Sequence, residues 1–314
     1  MSAEELLDAL RHLPDQVRDA AVAAADVDDL PSRDGIANVA ILGVGGGRVA
    51  ADVIEAICEI RGSVPIVATG ARCPGWVDDS TLAIALSPSG DDATVAGVRR
   101  AREAGARVVA VTSGGPLREA CTEWGVPIVP VDPEAGPAAG LGVSIVPVLV
   151  LLERLGLAHG MSPAISGVAT QLEARHAALD HDLAPIEALA SVLPGRVAIV
   201  TGAGAMGKHA SRRWVQEIDR VGGVAAVRRR LPTGPVDVAT GVRLSEATKR
   251  GAVVIVLRHD FEPEGLDGGV ELLNDAFDEI HTFVAEGDGP LAQLLDLVLL
   301  ADAVAAALVR RTGG

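Results

Sequence analysis

Two short loops, each placed between an apolar run and a helical pattern, constrain the fold of this chain more than any other feature. The first, Gly43-Val44-Gly45-Gly46-Gly47, follows the apolar run 39–42, and the second, Ser87-Pro88-Ser89-Gly90, follows the run 82–86. Each run predicts a buried parallel strand, and loops at the carboxyl ends of such strands surround the ligand site of an open α/β sheet. Glycine lets a ligand approach the backbone, and serine hydroxyls beside a helix N-terminus suit an anion. The pair predicts a site for a small phosphorylated molecule, with these candidate ligand-binding residues: Gly45, Gly46, Gly47, Ser87, Ser89 and Gly90.

Strand and helix signals alternate along the chain, and such alternation predicts parallel sheets with helices on both faces. The alternation restarts after Pro194, where the apolar run 197–201 leads into the glycine loop Gly202–Gly207 and a further helical pattern. The two halves therefore look like one α/β architecture used twice. We divide the chain into an N-terminal helical segment (1–34), a first α/β domain (35–155), a helical bridge (156–194) and a second α/β domain (195–314).

Charge and composition exclude several classes of partner. The chain carries 42 acidic and 27 basic residues, and its formal net charge of −15 repels nucleic acid and acidic membranes. Three Trp, three Phe and no Tyr are too few for the aromatic platforms that bind single-stranded nucleic acid. The three cysteines form no CxxC motif, and the N-terminus lacks the apolar core of a signal peptide. We expect a cytoplasmic protein with no metal site that binds neither nucleic acid nor membranes.

The second glycine loop matches two nucleotide-binding patterns only in part. The pattern GxGxxG at Gly202–Gly207 requires an acidic residue after the next strand, and the region 222–227 offers none. A P-loop ending at Lys208 requires Ser or Thr next, where His209 stands. A glycine turn that lets strand and helix pack closely is therefore favoured, and no cofactor is predicted. The first glycine loop also fails GxGxxG, because Arg48 follows Gly47.

Two features leave alternatives open. The serines of the second loop precede Gly90-Asp91-Asp92, a cluster that either caps a helix or helps to hold a ligand. The basic run Arg228–Arg230 is typical of a solvated face, although it also suits the border of an anion pocket.

The order and spacing of these motifs resemble a known family. The first half, with its two loops and the turn Ser113-Gly114-Gly115, resembles a sugar isomerase (SIS) domain. The second half, with Arg213-Trp214-Val215-Gln216 and Gly289-Pro290-Leu291-Ala292, is similar to the bifunctional phosphoglucose/phosphomannose isomerases, and especially to a divergent actinobacterial branch called TobH-like. The resemblance implies two SIS domains with five-stranded parallel sheets, a homodimer, and a sugar phosphate that is bound between domains and isomerised through an enediol.

Several binding positions depart from the pattern of that family. Two serines of the family's pattern are present here as Ser87 and Ser89. The family has a serine where this chain has Gly47 and a threonine where this chain has Asp92. The family's substrate-binding arginine, which follows a proline, corresponds to Ala138. These replacements remove two hydroxyls and a cation and add a negative charge, which disfavours tight binding of an ordinary sugar phosphate.

The catalytic positions depart from the pattern as well. The family's glutamate base is matched only by Asp219, and the segment Val236–Gly241 lacks the family's histidine. Enediol chemistry requires a base at carbon and an acid that opens the ring. We therefore expect a divergent SIS protein that binds a sugar phosphate or a related carbohydrate derivative without ordinary isomerase activity. The alternative is an active aldose–ketose isomerase with Asp219 as base, and a nucleotide-dependent enzyme at Gly202–Lys208 is the third class considered.

Overall fold

The computed structural model describes residue 8 and residues 11–131, 140–230, 245–264 and 266–312. The chain divides into two compact units, which we call the N-terminal unit (His12–Thr170) and the C-terminal unit (Gln171–Gly314 with Met1–Arg11). Each unit contains a parallel sheet with helices packed against it, so the predicted α/β class is confirmed.

The N-terminal unit contains five parallel strands in the order β2-β1-β3-β4-β5. Its central strand β3 is buried along its whole length, as the continuous apolar run 82–86 predicts. Its elements are α1 (Leu13–Ala25), β1 (Asn38–Leu42), α2 (Gly45–Arg61), β2 (Ile66–Ala68), β3 (Thr81–Leu86), α3 (Asp92–Glu103), β4 (Arg107–Thr112), α4 (Gly115–Glu123), β5 (Ile128–Pro130) and α5 (Gly140–Arg154), followed by α6 (Met161–His181), which continues into the C-terminal unit.

The C-terminal unit has four strands among its described residues, in the order β7-β6-β8-β9 and all parallel, where the resemblance implies five. Three of its elements were missed by the sequence analysis: the edge strand over the basic run and the helices directly before and after β8. Its elements after α6 are α7 (Ala184–Val192), β6 (Val197–Gly202), α8 (Gly204–Arg220), β7 (Ala226–Arg230), α9 (Glu246–Arg250), β8 (Ala252–Arg258), α10 (Asp267–Ala276), β9 (Ile280–Val284) and α11 (Pro290–Thr312).

Helix α11 forms the centre of the C-terminal unit. Among the described residues it alone is long and apolar enough to span a membrane, with a mean hydropathy of 2.0 over Pro290–Arg311, but that window is fully buried inside the protein. It packs mainly against α8 and α7. Three buried polar residues of α11, Gln293, Asp296 and Asp302, each contact polar groups of neighbouring elements. These features identify α11 as the core helix of an α/β unit.

A buried ion cluster joins α8 to α11. Arg213 donates to Glu217 over 2.9 Å and to Asp302 over 2.8 Å, so one cation faces two carboxylates in the core. The next residue of α8, Trp214, donates from its indole to the Leu297 carbonyl of α11 over 2.7 Å. Burial raises the pKa of Asp302 to about 7; Arg213 opposes this shift, whereas the nearby Glu217 adds to it. Asp302 thus binds a proton in the folded chain at a pH where it would be ionised in the unfolded chain.

We expect the stability of the C-terminal unit to fall as the pH rises from about 4 to 7. Because the folded pKa of Asp302 exceeds the unfolded value, the native state binds more protons in this window, and the free energy of unfolding drops by at most ~1.4 kcal/mol per pH unit. The Asp302→Asn variant should show a flatter dependence. We expect the remaining pH dependence to come from Asp296, because burial also raises the pKa of that carboxyl.

Urea unfolding at pH 5, 6, 7 and 8 measures this effect. Trp214 is the reporter of choice because it is fully buried against α11, and a Trp76→Phe/Trp124→Phe background removes the two tryptophans of the N-terminal unit. Equal pH slopes in the parent and in Asp302→Asn would contradict the assignment.

Candidate functional site

The loops that the sequence singled out lie side by side at the carboxyl edge of the N-terminal sheet. Strand β3 pairs with β1 on one side and with β4 on the other, so the segments that follow these three strands are neighbours. Helices α2, α3 and α4 begin there, at Gly45, Asp92 and Gly115. Three helix N-termini thus meet at one edge, which is where open α/β sheets bind ligands.

The first glycine loop is shorter than predicted, because α2 already begins at Gly45. Gly45 has a φ of +53°, a conformation that favours glycine, and Val44 before it is extended. In the part of the chain that the structure describes, a Cβ atom at Gly45 or Gly46 would meet no neighbouring group within 4 Å, whereas one at Gly47 would lie 2.1 Å from the Leu86 carbonyl oxygen. Gly45 and Gly46 therefore leave the first turn of α2 open, whereas Gly47 lets α2 pack on β3. The serine that the resemblance places at Gly47 does not fit here.

Ser87 belongs to a helix cap. Its buried hydroxyl donates to the Asp91 carboxylate and accepts from the Asp91 amide over 3.1 Å. Asp91 in turn accepts from the amide and the hydroxyl of Thr94, over 2.8 and 3.0 Å, and so caps α3. Burial tends to raise the pKa of Asp91, but these hydrogen bonds outweigh it and lower the pKa, which keeps the carboxylate ionised. The sequence left open whether this cluster caps a helix or helps to hold a ligand, and the geometry at Ser87 favours the helix cap.

The loops after β3 and β4 are tied together. Gly90 has a φ of +70°, and a Cβ there would lie 1.8 Å from the Gly114 carbonyl oxygen. The Ser113 hydroxyl donates to the Pro88 carbonyl over 2.6 Å, and the Leu117 amide donates to the Gly90 carbonyl over 3.1 Å. Gly90 thus serves the packing of the edge. Ser89, between these contacts, is exposed at the surface.

Arg48 is a residue of this edge that the sequence analysis considered only because it breaks GxGxxG. Its Nε and Nη2 both donate to Oδ1 of the buried Asp52, over 2.9 and 2.7 Å. Gly70 lies in the loop after β2, and a Cβ atom added to it would be 3.4 Å from Nη1 of Arg48. The Gly70 carbonyl accepts from the Gly43 amide, so the guanidinium lies beside the start of the glycine loop. An arginine one position after a glycine loop was the signal that could have found it.

The C-terminal unit repeats the same strand–turn–helix geometry, and the segment after β8 partly covers the turn, although Gly204 itself is exposed. Gly204 begins α8 with a φ of +64°, after the extended Ala203. A Cβ at Gly204 would lie 3.5 Å from Pro263 and 3.6 Å from the Phe261 carbonyl oxygen, both in the segment after β8. The buried His259 fixes this segment, since its Nε2 lies 3.0 Å from the Ala203 carbonyl oxygen and its Nδ1 accepts from the Phe261 amide over 3.2 Å.

Polar side chains of α11 and α6 hold the other loops at this second edge. Gln293 accepts from the Asp260 amide over 2.9 Å and donates to the Gly287 carbonyl over 3.1 Å, so it joins the loops after β8 and β9. Asp296 accepts from the Glu286 amide and pairs with Arg175, over 2.9 and 2.8 Å. The second edge is therefore filled by its own side chains.

Asp219, the candidate base, lies at the opposite end of α8 from the glycine loop. It is exposed, one residue before the helix ends at Arg220. Fifteen residues separate it from Gly204, or ~22 Å along the helix axis at 1.5 Å per residue. The neighbouring Glu217 is committed to the buried ion cluster with Arg213. A catalytic role for Asp219 stays a prediction.

The structure adds little support for the other candidate sites of the sequence analysis. Ala138 and the segment Val236–Gly241 lie outside the described residues. Within the described part of the chain, no group of three or more His, Cys, Asp or Glu residues is placed to hold a metal ion. Arg228 and Arg229 are exposed on the edge strand β7, and Arg228 donates to the Lys208 carbonyl over 3.2 Å.

Comparison with known proteins supports the resemblance. A family model described as the bacterial phospho-glucose isomerase C-terminal SIS domain matches residues 183–313. The chain is 28% identical over 154 residues to the bifunctional phosphoglucose/phosphomannose isomerase of Caldicellulosiruptor bescii, a match that covers 48% of this chain and 45% of that protein. The match thus spans less than half of the length of that relative.

Solved structures extend the likeness in fold to nearly the whole chain. The C-terminal domain of glucosamine-fructose-6-phosphate aminotransferase from Francisella tularensis matches with a TM-score of 0.72 at 13% identity, covering 98% of this chain and 96% of that one. Tagatose-6-phosphate ketose/aldose isomerase from Escherichia coli matches with a TM-score of 0.70 at 14% identity, covering 98% and 92%. At such identities the likeness concerns the fold alone.

Two alanine substitutions in one glycine loop should have opposite effects on stability. Gly47→Ala places a methyl group against the Leu86 carbonyl and should lower the free energy of unfolding by about 1–3 kcal/mol. Gly46→Ala meets open space and should leave stability unchanged or raise it by up to ~1 kcal/mol, since alanine is the better helix former. Urea unfolding of the two variants measures both effects; equal losses would show that the loop packs differently.

Proposed function

We propose, from the premise that the chain is a SIS-domain protein related to the bacterial phosphoglucose isomerase family, that it binds a sugar phosphate or a related carbohydrate derivative without ordinary isomerase activity. The binding site we assign is the first turn of α2, at Gly45 and Gly46, with the exposed Ser89 beside it on the neighbouring loop.

The open first turn of α2 is the observation that carries this proposal. Among the described residues, no group outside the helix's own first turn lies within 4 Å of the Cβ positions of Gly45 and Gly46, so a ligand can come close to the backbone there. Within α2 the first amide that donates to a backbone carbonyl is that of Arg48, which bonds Val44 over 3.3 Å. The preceding amides point out of the helix and carry the positive end of its dipole, which suits a phosphate group.

The arrangement of acids and bases supports binding over catalysis. Asp91 is held ionised by the cap of α3, and Glu217 is buried in an ion cluster. His259 has both ring nitrogens engaged by backbone groups. A proton transfer at carbon requires a base within hydrogen-bond reach of the substrate, and none of these groups is presented in that way.

Substitution of Gly46 by aspartate tests the binding site. A Cβ at Gly46, the second position of α2, would meet no described neighbour within 4 Å, and a carboxylate there interacts favourably with the helix dipole, so the fold should keep its stability. The same carboxylate occupies the place of the phosphate and repels it. We expect Gly46→Asp to bind glucose 6-phosphate or fructose 6-phosphate at least tenfold more weakly than the parent in titration calorimetry.

Ala205→Asp is the matched control, because Ala205 is the second residue of α8 in the covered glycine loop. It should bind both sugar phosphates like the parent protein. Unchanged affinity in Gly46→Asp, or an equal loss in both variants, would contradict the site. Binding of unphosphorylated glucose as tight as that of glucose 6-phosphate would contradict recognition of the phosphate.

A turnover assay separates binding from catalysis. The protein is incubated with fructose 6-phosphate or mannose 6-phosphate, and formation of glucose 6-phosphate is followed. We expect no turnover at ordinary enzyme rates. Turnover that is lost in Asp219→Asn but kept in Asp275→Asn, an exposed acid near the end of α10, would instead establish an isomerase with Asp219 as base.

A further inference from the structure

We propose that Arg48 is the cation that receives the anionic group of the ligand bound at the first turn of α2. This inference rests on the proposed function and names the residue that gives the site its charge. Arg48 is the fourth residue of α2, directly after the three glycines that open the helix.

The position of the guanidinium carries the inference. Nη1 lies beside Gly70, which accepts a hydrogen bond from Gly43, so the group is at the level of the sheet edge where the glycine loop begins. Side chains of a helix lean toward its N-terminus, which directs Arg48 to the same side as the open amides. The side chain is 30% exposed, so it is packed in place while part of it reaches solvent.

Asp52 holds Arg48 without using all of its donors. Both contacts of the pair, from Nε and Nη2, end on the single oxygen Oδ1 of Asp52. A guanidinium has five N–H groups, and these two contacts use two of them, so among the described contacts three N–H groups are left for an incoming anion. Because Asp52 is almost fully buried, it fixes the position of the guanidinium and reduces the conformational freedom that binding would otherwise cost.

The charges around the edge explain why a cation is needed. Asp91 is kept ionised by its hydrogen bonds, and Asp92 is exposed in the first turn of α3 next to it. A phosphate at α2 would therefore approach an edge that carries two carboxylates in a chain with a net charge of −15. Arg48 counters this repulsion from the side of β2, opposite the aspartates that follow β3.

The decisive variant removes the ion pair without stranding a buried charge. Arg48→Gln alone would remove the cation that pairs with the buried Asp52, which can unfold the chain. The double variant Arg48→Gln/Asp52→Asn replaces both groups by neutral amides of similar size. We expect it to bind glucose 6-phosphate at least tenfold more weakly than the parent, and to lose much of the salt dependence of binding between 50 and 500 mM NaCl.

The C-terminal unit supplies a matched control at the covered edge. Arg258 and Glu262 form an ion pair with the same spacing of four residues and similar exposure, with 26% and 8% of the side chains exposed, against 30% and 3% for Arg48 and Asp52. Arg258→Gln/Glu262→Gln should bind glucose 6-phosphate within twofold of the parent. Asp52→Asn alone keeps an acceptor oxygen that can hold Arg48 and leaves the charge of Arg48 with the ligand, so it should bind at least as tightly as the parent.

The outcomes distinguish this inference from the proposed function. Weak binding in the Arg48 double variant, with normal binding in the control and in Asp52→Asn, supports Arg48. Suppose that the parent binds glucose 6-phosphate and that the Arg48 double variant binds it equally well with the same salt dependence. The role of Arg48 as the cation of the site is then overturned, and the proposed binding site stands. If the parent binds neither glucose 6-phosphate nor fructose 6-phosphate, both proposals fail.

Discussion

Close contact between the first turn of α2 and the carboxyl end of β3 determines the rest of the binding edge. Gly43 and Gly47 both face the Leu86 carbonyl, and no side chain fits between them and that strand. Because the contact is made by backbone atoms, it sets the direction of α2 and turns Gly45 and Gly46 outward. The open amides, the position of Arg48 and the neighbouring α3 cap all follow from this approach of helix to strand.

The two units of the chain repeat one strand–turn–helix geometry with different consequences for a ligand. In each, an extended residue precedes a helix that begins at a glycine with positive φ, Gly45 or Gly204. In the C-terminal unit the segment after β8 lies over the turn and is fixed by His259 and by Gln293 of α11. The repeated turn thus has different neighbours in the two units: among the described residues, the segment after β8 packs beside the turn at Gly204, whereas no such segment contacts Gly45.

Much of the fold could be predicted from the pattern of apolar runs and glycines, whereas the roles of the site residues could not. The strands, the helices after them and the order of the sheet elements follow local rules, as at β3, where five consecutive apolar residues are buried. The basic strand β7 was not predicted, because its arginines interrupt the pattern of apolar residues that indicates a strand. Ser87 and Gly90 were assigned to the ligand, but their nearest partners, Asp91 and Gly114, are settled only by packing of neighbouring loops.

By itself the sequence determined the α/β class, the repetition of a glycine turn in each half and the resemblance to SIS proteins, since these depend on residue order and spacing along the chain. Only the tertiary structure decided which glycines are open, that Ser87 caps a helix and that Arg48 lies at the edge with Asp52 as its buried partner. Ser87 and Arg48 have partners only four residues away, but whether they are buried or exposed at the sheet edge depends on groups distant in sequence. At Gly47 and Gly204, the decisive atoms belong to Leu86 and Pro263.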